Sequence, residues 1–212
     1  MIVTYGLLLQ NARGGFFMNR TLKISCTAMF TAVSVAINYF TAKLAPNMAL
    51  SFTIAVCFLA GIYLGVWPAM IVGFMGDTIA HLIHPLGAYN WFLAISTALF
   101  GAICALVYKL PLKSKLLKLV IALLICFVVC ICGINTFGLW LQYKVGVEPG
   151  FVGLIQFLTT DIPVDTSFWV YLTTRLPSSI PNTIINGIVV AIVQQLRVFD
   201  KLFWHLDGEK ER

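Results

Sequence analysis

Residues 174–186 read TRLPSSIPNTIIN and open the last long apolar run of this 212-residue chain. At roughly 100° per residue, Arg175, Ser179, Asn182 and Asn186 fall within about 60° of one another, so they form one polar stripe on a helix. Pro181 has no N–H and leaves the carbonyl of Pro177 without its helical partner. Polar groups inside a membrane are costly and usually serve pairing or a substrate path. We interpret the stripe as part of a substrate site, with plain helix-to-helix packing as the alternative.

The composition supports a membrane-spanning chain. Hydrophobic residues make up 60% of it and charged residues 10%, whereas a soluble domain carries roughly 25% charged residues. The length accommodates about six spans. We therefore predict an all-α integral membrane protein, a bundle of six transmembrane helices over about 22–40, 48–66, 68–84, 91–108, 119–143 and 176–199. The six cysteines all lie in apolar runs, where a thiol behaves as a small hydrophobe, and they predict neither disulfides nor a metal site.

The basic residues predict the orientation. Six spans place both termini on one side, and that side holds every lysine and arginine except Lys43, Lys144 and Arg175. Basic residues concentrate on the cytoplasmic side, so both termini are predicted to be cytoplasmic, in a bacterial plasma membrane. The net charge of +6 is then an orientation signal, and no nucleic-acid partner is predicted. The long segment 144–171 falls outside the cell, and a loop of this length is usually functional.

The ends of the chain are predicted to lie apart from the membrane domain. Residues 1–17 have an arginine after a short apolar run, which is unlike a signal peptide. We interpret them as an upstream extension from a mis-assigned start, with translation beginning at Met18. Residues 18–204 are predicted to form the six-helix domain, and residues 205–212 a charged cytoplasmic tail.

A second polar set lies on the third predicted span. Asp77, His81 and His84 are spaced i, i+4, i+7 and share one helical face within about 60°. Asp77 should lie near the depth of Asn182 and Asn186, so neighbouring third and sixth spans would enclose a polar pocket open to the outside. Three alternatives stay open: a neutral Asp77 hydrogen-bonded to His81, a divalent metal site, and a small intramembrane enzyme with Asp77 and His81 as acid and base.

The motifs exclude several other classes of protein. The chain has no GxxxxGK[ST] phosphate loop and no HExxH sequence, and six spans without an obvious inverted repeat are few for an autonomous secondary transporter. A binding bundle that relies on a separate motor fits best.

Three features then occur together: the ridge of Ala28, Ala32 and Ala36, the segment GDTIAHLIHPLGAYN at 76–90, and TRLPSSIPNTIIN at 174–186. With them the chain resembles the substrate-binding (S) components of energy-coupling factor vitamin transporters, most closely the folate family. The resemblance covers Met18 to about Trp204. It implies a six-helix bundle that binds a vitamin from outside and docks on a transmembrane coupling subunit with two cytoplasmic ATPases. The chain itself would bind no cofactor, because the partner subunits use the ATP.

The resemblance also implies roles for particular residues. The alanine ridge would face the coupling subunit, and Arg175 with its stripe would contact the vitamin. For folate, we expect the Asp77 carboxylate to suit the donor edge of the pterin ring and Arg175 to suit a carboxylate. Further pocket residues are predicted to be His81 and His84, with three aromatic side chains stacking on the rings: Tyr89, Trp91 and Trp169. Another vitamin, such as pantothenate, remains the alternative ligand.

Overall fold

The computed structural model describes residues 20–39, 42–45, 48–83, 89–112, 114–142, 154–155, 158 and 167–196. The predicted extension 1–17, the predicted tail 205–212 and His84 lie outside the described residues.

Six helices account for most of the described chain: α1 (Arg20–Tyr39), α2 (Thr53–Leu64), α3 (Val66–Ile83), α4 (Trp91–Tyr108), α5 (Lys115–Trp140) and α6 (Phe168–Gln195). Within the described residues, five of them are long and apolar enough to cross a membrane, and α2 is a shorter apolar helix. The predicted first, third and fourth spans match α1, α3 and α4 closely. The prediction of a bundle of apolar membrane helices is confirmed. That all six helices cross the membrane stays a prediction.

A short antiparallel hairpin separates α1 from α2. Strand β1 (Ala42–Ala45) pairs with β2 (Met48–Leu50), so α2 begins at Thr53. The prediction that the second span begins at Met48 was therefore wrong. The periodicity of a short apolar run before a helix does not distinguish a strand from a helix. Here Met48–Leu50, at the start of the predicted span, form β2 and pair with β1.

The turn between α2 and α3 depends on one glycine. Gly65 has φ 91°, a conformation that glycine adopts without the steric cost a side chain would bring. Gly65 ends α2, and Gly61, one turn earlier, lies against Gly101 of α4.

Helix α5 contains a wide π-helical stretch in its middle. Residues Lys115–Cys126 are α-helical, Phe127–Asn135 are π-helical and Thr136–Trp140 return to α-helix. The Thr136 hydroxyl donates to the carbonyl of Ile131 at 2.7 Å, which satisfies an acceptor within the widened turns. π-Helical turns are rare and frequently lie at functional sites.

Helix α6 begins earlier than the sequence indicated. It starts at Phe168 rather than Leu176 and continues through Pro177 and Pro181 to Gln195. Phe168, Trp169 and Tyr171, which belong to the predicted outer segment 144–171, are therefore in the first turn of a helix. Local hydroxyls satisfy carbonyls near the prolines: Ser178 donates to the carbonyl of Arg175 at 2.9 Å.

Helix α4 lies at the centre of the bundle and packs against α2, α3 and α5. Small residues permit close approach at these contacts, as they commonly do in membranes. A side chain at Gly73 would collide with the backbone of Thr97, and one at Gly76 would collide with Ser34 of α1. The six helices thereby enclose a polar space.

Candidate functional site

A polar cavity of about 760 Å³ lies inside the bundle, within the size range of small-molecule sites. Every helix contributes to its wall. The described residues that line it are Asn38, Ser51, Thr53, Ile54, Asp77, Leu93, Thr97, Phe100, Ile131, Asn135, Leu139, Tyr171, Thr174, Arg175, Ser178, Ser179 and Asn182.

The polar stripe on α6 divides between the cavity and the packing behind it. Arg175, Ser179 and Asn182 line the cavity, as the sequence predicted. Asn186 does not: it is fully buried, accepts from the backbone N–H of Ala55 at 2.9 Å and donates to the carbonyl of Ser51 at 2.7 Å. Asn186 thus joins α6 to the start of α2. For this residue the structure shows helix-to-helix packing, which was the alternative to a place in the substrate site.

Arg175 contributes the positive charge of the cavity. One guanidinium nitrogen, Nη1, donates to the Thr136 hydroxyl at 3.5 Å, the long limit of a hydrogen bond. Among the described residues, no carboxylate forms an ion pair with it. The guanidinium fork is therefore available to a carboxylate or another planar acceptor.

Asp77 contributes the negative charge, from α3. Within the described part of the chain its carboxyl has no hydrogen-bond partner, so the predicted alternative of an Asp77–His81 pair is not what the structure holds. The His81 ring instead packs 4.9 Å from the Tyr89 ring. Asp77 and Arg175 line the same cavity without forming an ion pair with each other.

The three predicted stacking residues lie away from the cavity lining. Tyr89 packs edge-on against Trp91 at 5.0 Å, and its hydroxyl is 2.6 Å from that of Thr78. Burial raises the pKa of the Tyr89 phenol. Trp169 is 71% exposed on α6. Among the described residues, the aromatic rings that line the cavity are those of Phe100 and Tyr171.

Several lining residues were not singled out by the sequence. The Thr53 hydroxyl donates to Asn38 Oδ1 and lies 2.7 Å from the Ser51 hydroxyl. The backbone N–H of Ser51 donates to Asn182 Oδ1 at 3.2 Å, so this network joins α1, the start of α2 and α6. Asn135 enters the lining at the end of the π-helical stretch. Its position was hidden because a regular α-helix was expected there.

Ala28, Ala32 and Ala36 lie on the outside of the bundle. All three are exposed and line a groove between α1 and α3 whose opposite side is formed by Ile71, Met75, Ile79 and Ile83. Arg20, Lys23 and Trp67 lie at one end of this groove. The ridge therefore does not pack on a neighbouring helix of the described bundle.

Metal-ligating side chains do not gather in the described part of the chain. No group of three or more His, Cys, Asp or Glu side chains comes together there. His84, the third member of the predicted Asp77–His81–His84 set, lies outside the described residues.

Comparison with known proteins agrees with this architecture. The family model described as "ECF transporter, substrate-specific component" matches residues 22–194. A solved structure titled "Crystal structure of FolT bound with folic acid" superposes with a TM-score of 0.58 at 19% sequence identity, covering 80% of this chain and 90% of that one. At this identity the likeness shows the fold alone. No curated protein matches the chain in sequence.

Proposed function

The chain belongs to the substrate-specific components of ECF transporters, and we propose that it is the subunit of such a transporter that binds a folate-like vitamin. As a transporter component it is not an enzyme, so the alternative in which Asp77 and His81 act as acid and base is wrong.

One observation carries the proposal for the ligand: two opposite charges, Asp77 and Arg175, line one cavity and do not pair with each other. Charges taken out of water need partners. A ligand with hydrogen-bond donors at one end and a carboxylate at the other supplies both. Folate has this form, with an amidine-like donor edge on its pterin ring and two carboxylates on its glutamate. The structural neighbour whose title names bound folic acid supports this class of ligand.

The apolar part of the lining suits the middle of such a ligand. Phe100 and Tyr171 supply aromatic faces, and Ile54, Leu93 and Ile131 supply aliphatic surface. Flat rings bury well between such groups. We assign the pterin ring to the Asp77 side and the glutamate to the Arg175 side. Pantothenate, which has a carboxylate but no flat donor edge, would use Arg175 and leave Asp77 without a partner.

The proposal includes an orientation and a dependence on partners. The positive-inside rule puts both termini in the cytoplasm, so the cavity faces outward and binding precedes transport. The chain has no ATP-binding loop. A transmembrane coupling subunit and two cytoplasmic ATPases therefore supply the driving force, and the chain itself holds no cofactor.

We assign the groove of Ala28, Ala32 and Ala36 to a helix of the coupling subunit. The three alanines are exposed, and the groove is almost entirely apolar along its length. A ridge of small residues allows a partner backbone to approach closely, which is the main source of helix association in lipid. The docking surface lies on the outer faces of α1 and α3, apart from the cavity lining, so binding and docking are separable by mutation.

A calorimetric screen of the purified chain tests the ligand. Folate, pantothenate, riboflavin, thiamine and biotin are titrated separately in the absence of ATP and partner subunits. We expect tight binding of folate with one site per chain. If folate gives no heat of binding and another vitamin does, the folate assignment is refuted, but the role of the chain as a binding subunit is not.

A further inference from the structure

Among the described residues, three buried side-chain atoms have no hydrogen-bond partner: Ser34 Oγ, Asn38 Nδ2 and Asn135 Oδ1. Buried polar atoms in native proteins are nearly always paired, because an unpaired one retains its full desolvation cost. Ser34 is packed beneath Gly76 at the α1–α3 contact. Asn38 and Asn135, by contrast, both belong to the cavity lining.

The two asparagines line the cavity from different pairs of contacting helices, which form an α1–α3 wall and an α5–α6 wall, and each pair also carries one of the charges. The Ser34–Gly76 contact brings α1 and α3 together; Asn38 is one turn beyond Ser34, and Asp77 directly follows Gly76. On the other wall, Thr136 of α5 accepts from Arg175 of α6. Asn135 directly precedes Thr136.

The unpaired atoms are opposite in hydrogen-bonding kind to the charges carried by the same pairs of helices. On the Asp77 wall, where the carboxylate accepts, the unpaired Asn38 atom is an N–H donor. On the Arg175 wall, where the guanidinium donates, the unpaired Asn135 atom is an acceptor. Each wall therefore offers both a donor and an acceptor. Both amide atoms are enclosed by protein, so contact with a ligand requires rotation about χ2, a torsion whose energy wells are broad for asparagine.

We propose that Asn135 and Asn38 determine which ligands the cavity accepts: Asn135 Oδ1 accepts from an N–H next to the carboxylate that Arg175 binds, and Asn38 Nδ2 donates to an acceptor on the ring that Asp77 binds. The inference deepens the proposed function and depends on it. The ligand class it names is an N-acylated amino acid joined to a heterocycle that carries both donors and acceptors. A free carboxylate without a neighbouring N–H would satisfy Arg175 but not Asn135.

The π-helical stretch Phe127–Asn135 gives a structural reason for the position of Asn135. Widened turns shift the side chains that follow them relative to a regular helix, and π-helical turns recur at functional sites. In this chain the stretch ends at Asn135, which carries the unpaired acceptor. The next residue, Thr136, contacts Arg175.

Two ligands and two substitutions test the proposal. Folic acid has an amide N–H next to its glutamate carboxylate; pteroic acid has the same rings but ends in a benzoate, with no amide. Asn135→Leu should weaken folic acid binding by about tenfold, because the ligand N–H is left buried and unpaired, and should change pteroic acid binding by less than about twofold. Asn38→Leu should weaken the binding of both folic acid and pteroic acid by about tenfold. Ile134→Leu, which conserves side-chain volume at the position next to Asn135, is the control and should change the affinity for neither ligand.

Thermal unfolding without added ligand distinguishes a ligand-binding amide from a structural one. Because Asn135 Oδ1 has no described partner, Asn135→Leu should leave the melting temperature unchanged or raise it. A lower melting temperature, or an equal effect on the two ligands, would overturn the role of Asn135, and loss of only one ligand in Asn38→Leu would overturn that of Asn38. If the wild-type chain binds neither ligand, the proposed function fails and this inference fails with it, before any variant is compared.

Discussion

Replacing Arg175 with methionine removes the positive charge of the cavity and keeps most of the side-chain length. The described hydrogen bond of Arg175 is the 3.5 Å contact with Thr136, so its guanidinium contributes little to the fold. In the proposed complex it forms a desolvated, hydrogen-bonded pair with the ligand carboxylate. Removing one partner of such a pair costs on the order of 2–5 kcal/mol. At about 1.4 kcal/mol per tenfold change, folate affinity should fall by about thirtyfold to several thousandfold.

Calorimetric titration of the detergent-purified variant with folic acid measures this loss directly. Arg175→Lys serves as the matched control: it keeps the charge but loses the paired geometry of the guanidinium, and its affinity should lie between those of the wild type and Arg175→Met. A pterin without carboxylates should bind the wild type and Arg175→Met equally. Wild-type affinity for folic acid in Arg175→Met would refute the assignment of the carboxylate to Arg175, and a large drop in melting temperature would show that the side chain holds the fold together.

Three further predictions concern docking, orientation and packing. Ala32→Trp should leave folate affinity within about twofold but abolish ATP-driven uptake and co-purification with the coupling subunit, since close approach in lipid depends on small residues; loss of folate binding would make the ridge part of the internal packing. Single cysteines at Ser114 and Thr160, in a background without native cysteines, should react oppositely with an impermeant thiol reagent in whole cells, Thr160 alone being labelled; the reverse pattern would invert the orientation. Gly73→Ala should destabilise the bundle by about 1–3 kcal/mol, because its new Cβ would collide with the α4 backbone. Gly133→Ala, where a Cβ meets its nearest neighbour at an ordinary 3.5 Å, should unfold near the wild-type temperature.

The sequence predicted the membrane helices and the polar stripe because both depend on local patterns. Helical periodicity placed Arg175, Ser179 and Asn182 on one face, and the structure places all three at one cavity. The same periodicity grouped Asn186 with them, although it packs against α2, because angular position alone does not distinguish a helix neighbour from open space. The hairpin before α2 and the early start of α6 at Phe168 were missed, since short apolar and aromatic runs fit more than one conformation.

Contacts between distant segments explain why the sequence did not predict the other residues of the cavity lining. Asn38 marks only the end of a span in the sequence, yet it lines the cavity through its bond with Thr53. Asn135 enters the lining from a π-helical stretch that no local signal announced. Tyr89 and Trp91 are close to Asp77 in sequence, but neither lines the cavity: Tyr89 packs against both Trp91 and His81.

A structure of the purified chain with folic acid measures the position of the ligand itself. The pterin ring should lie on the α1–α3 wall, with its donor edge against Asp77. A glutamate carboxylate should lie about 2.7–2.9 Å from the guanidinium nitrogens of Arg175, the distance of a charge-assisted hydrogen bond. Folic acid in the reverse orientation, or bound in the groove of Ala28, Ala32 and Ala36 instead of the cavity, would contradict the proposal that these two unpaired charges select the ligand.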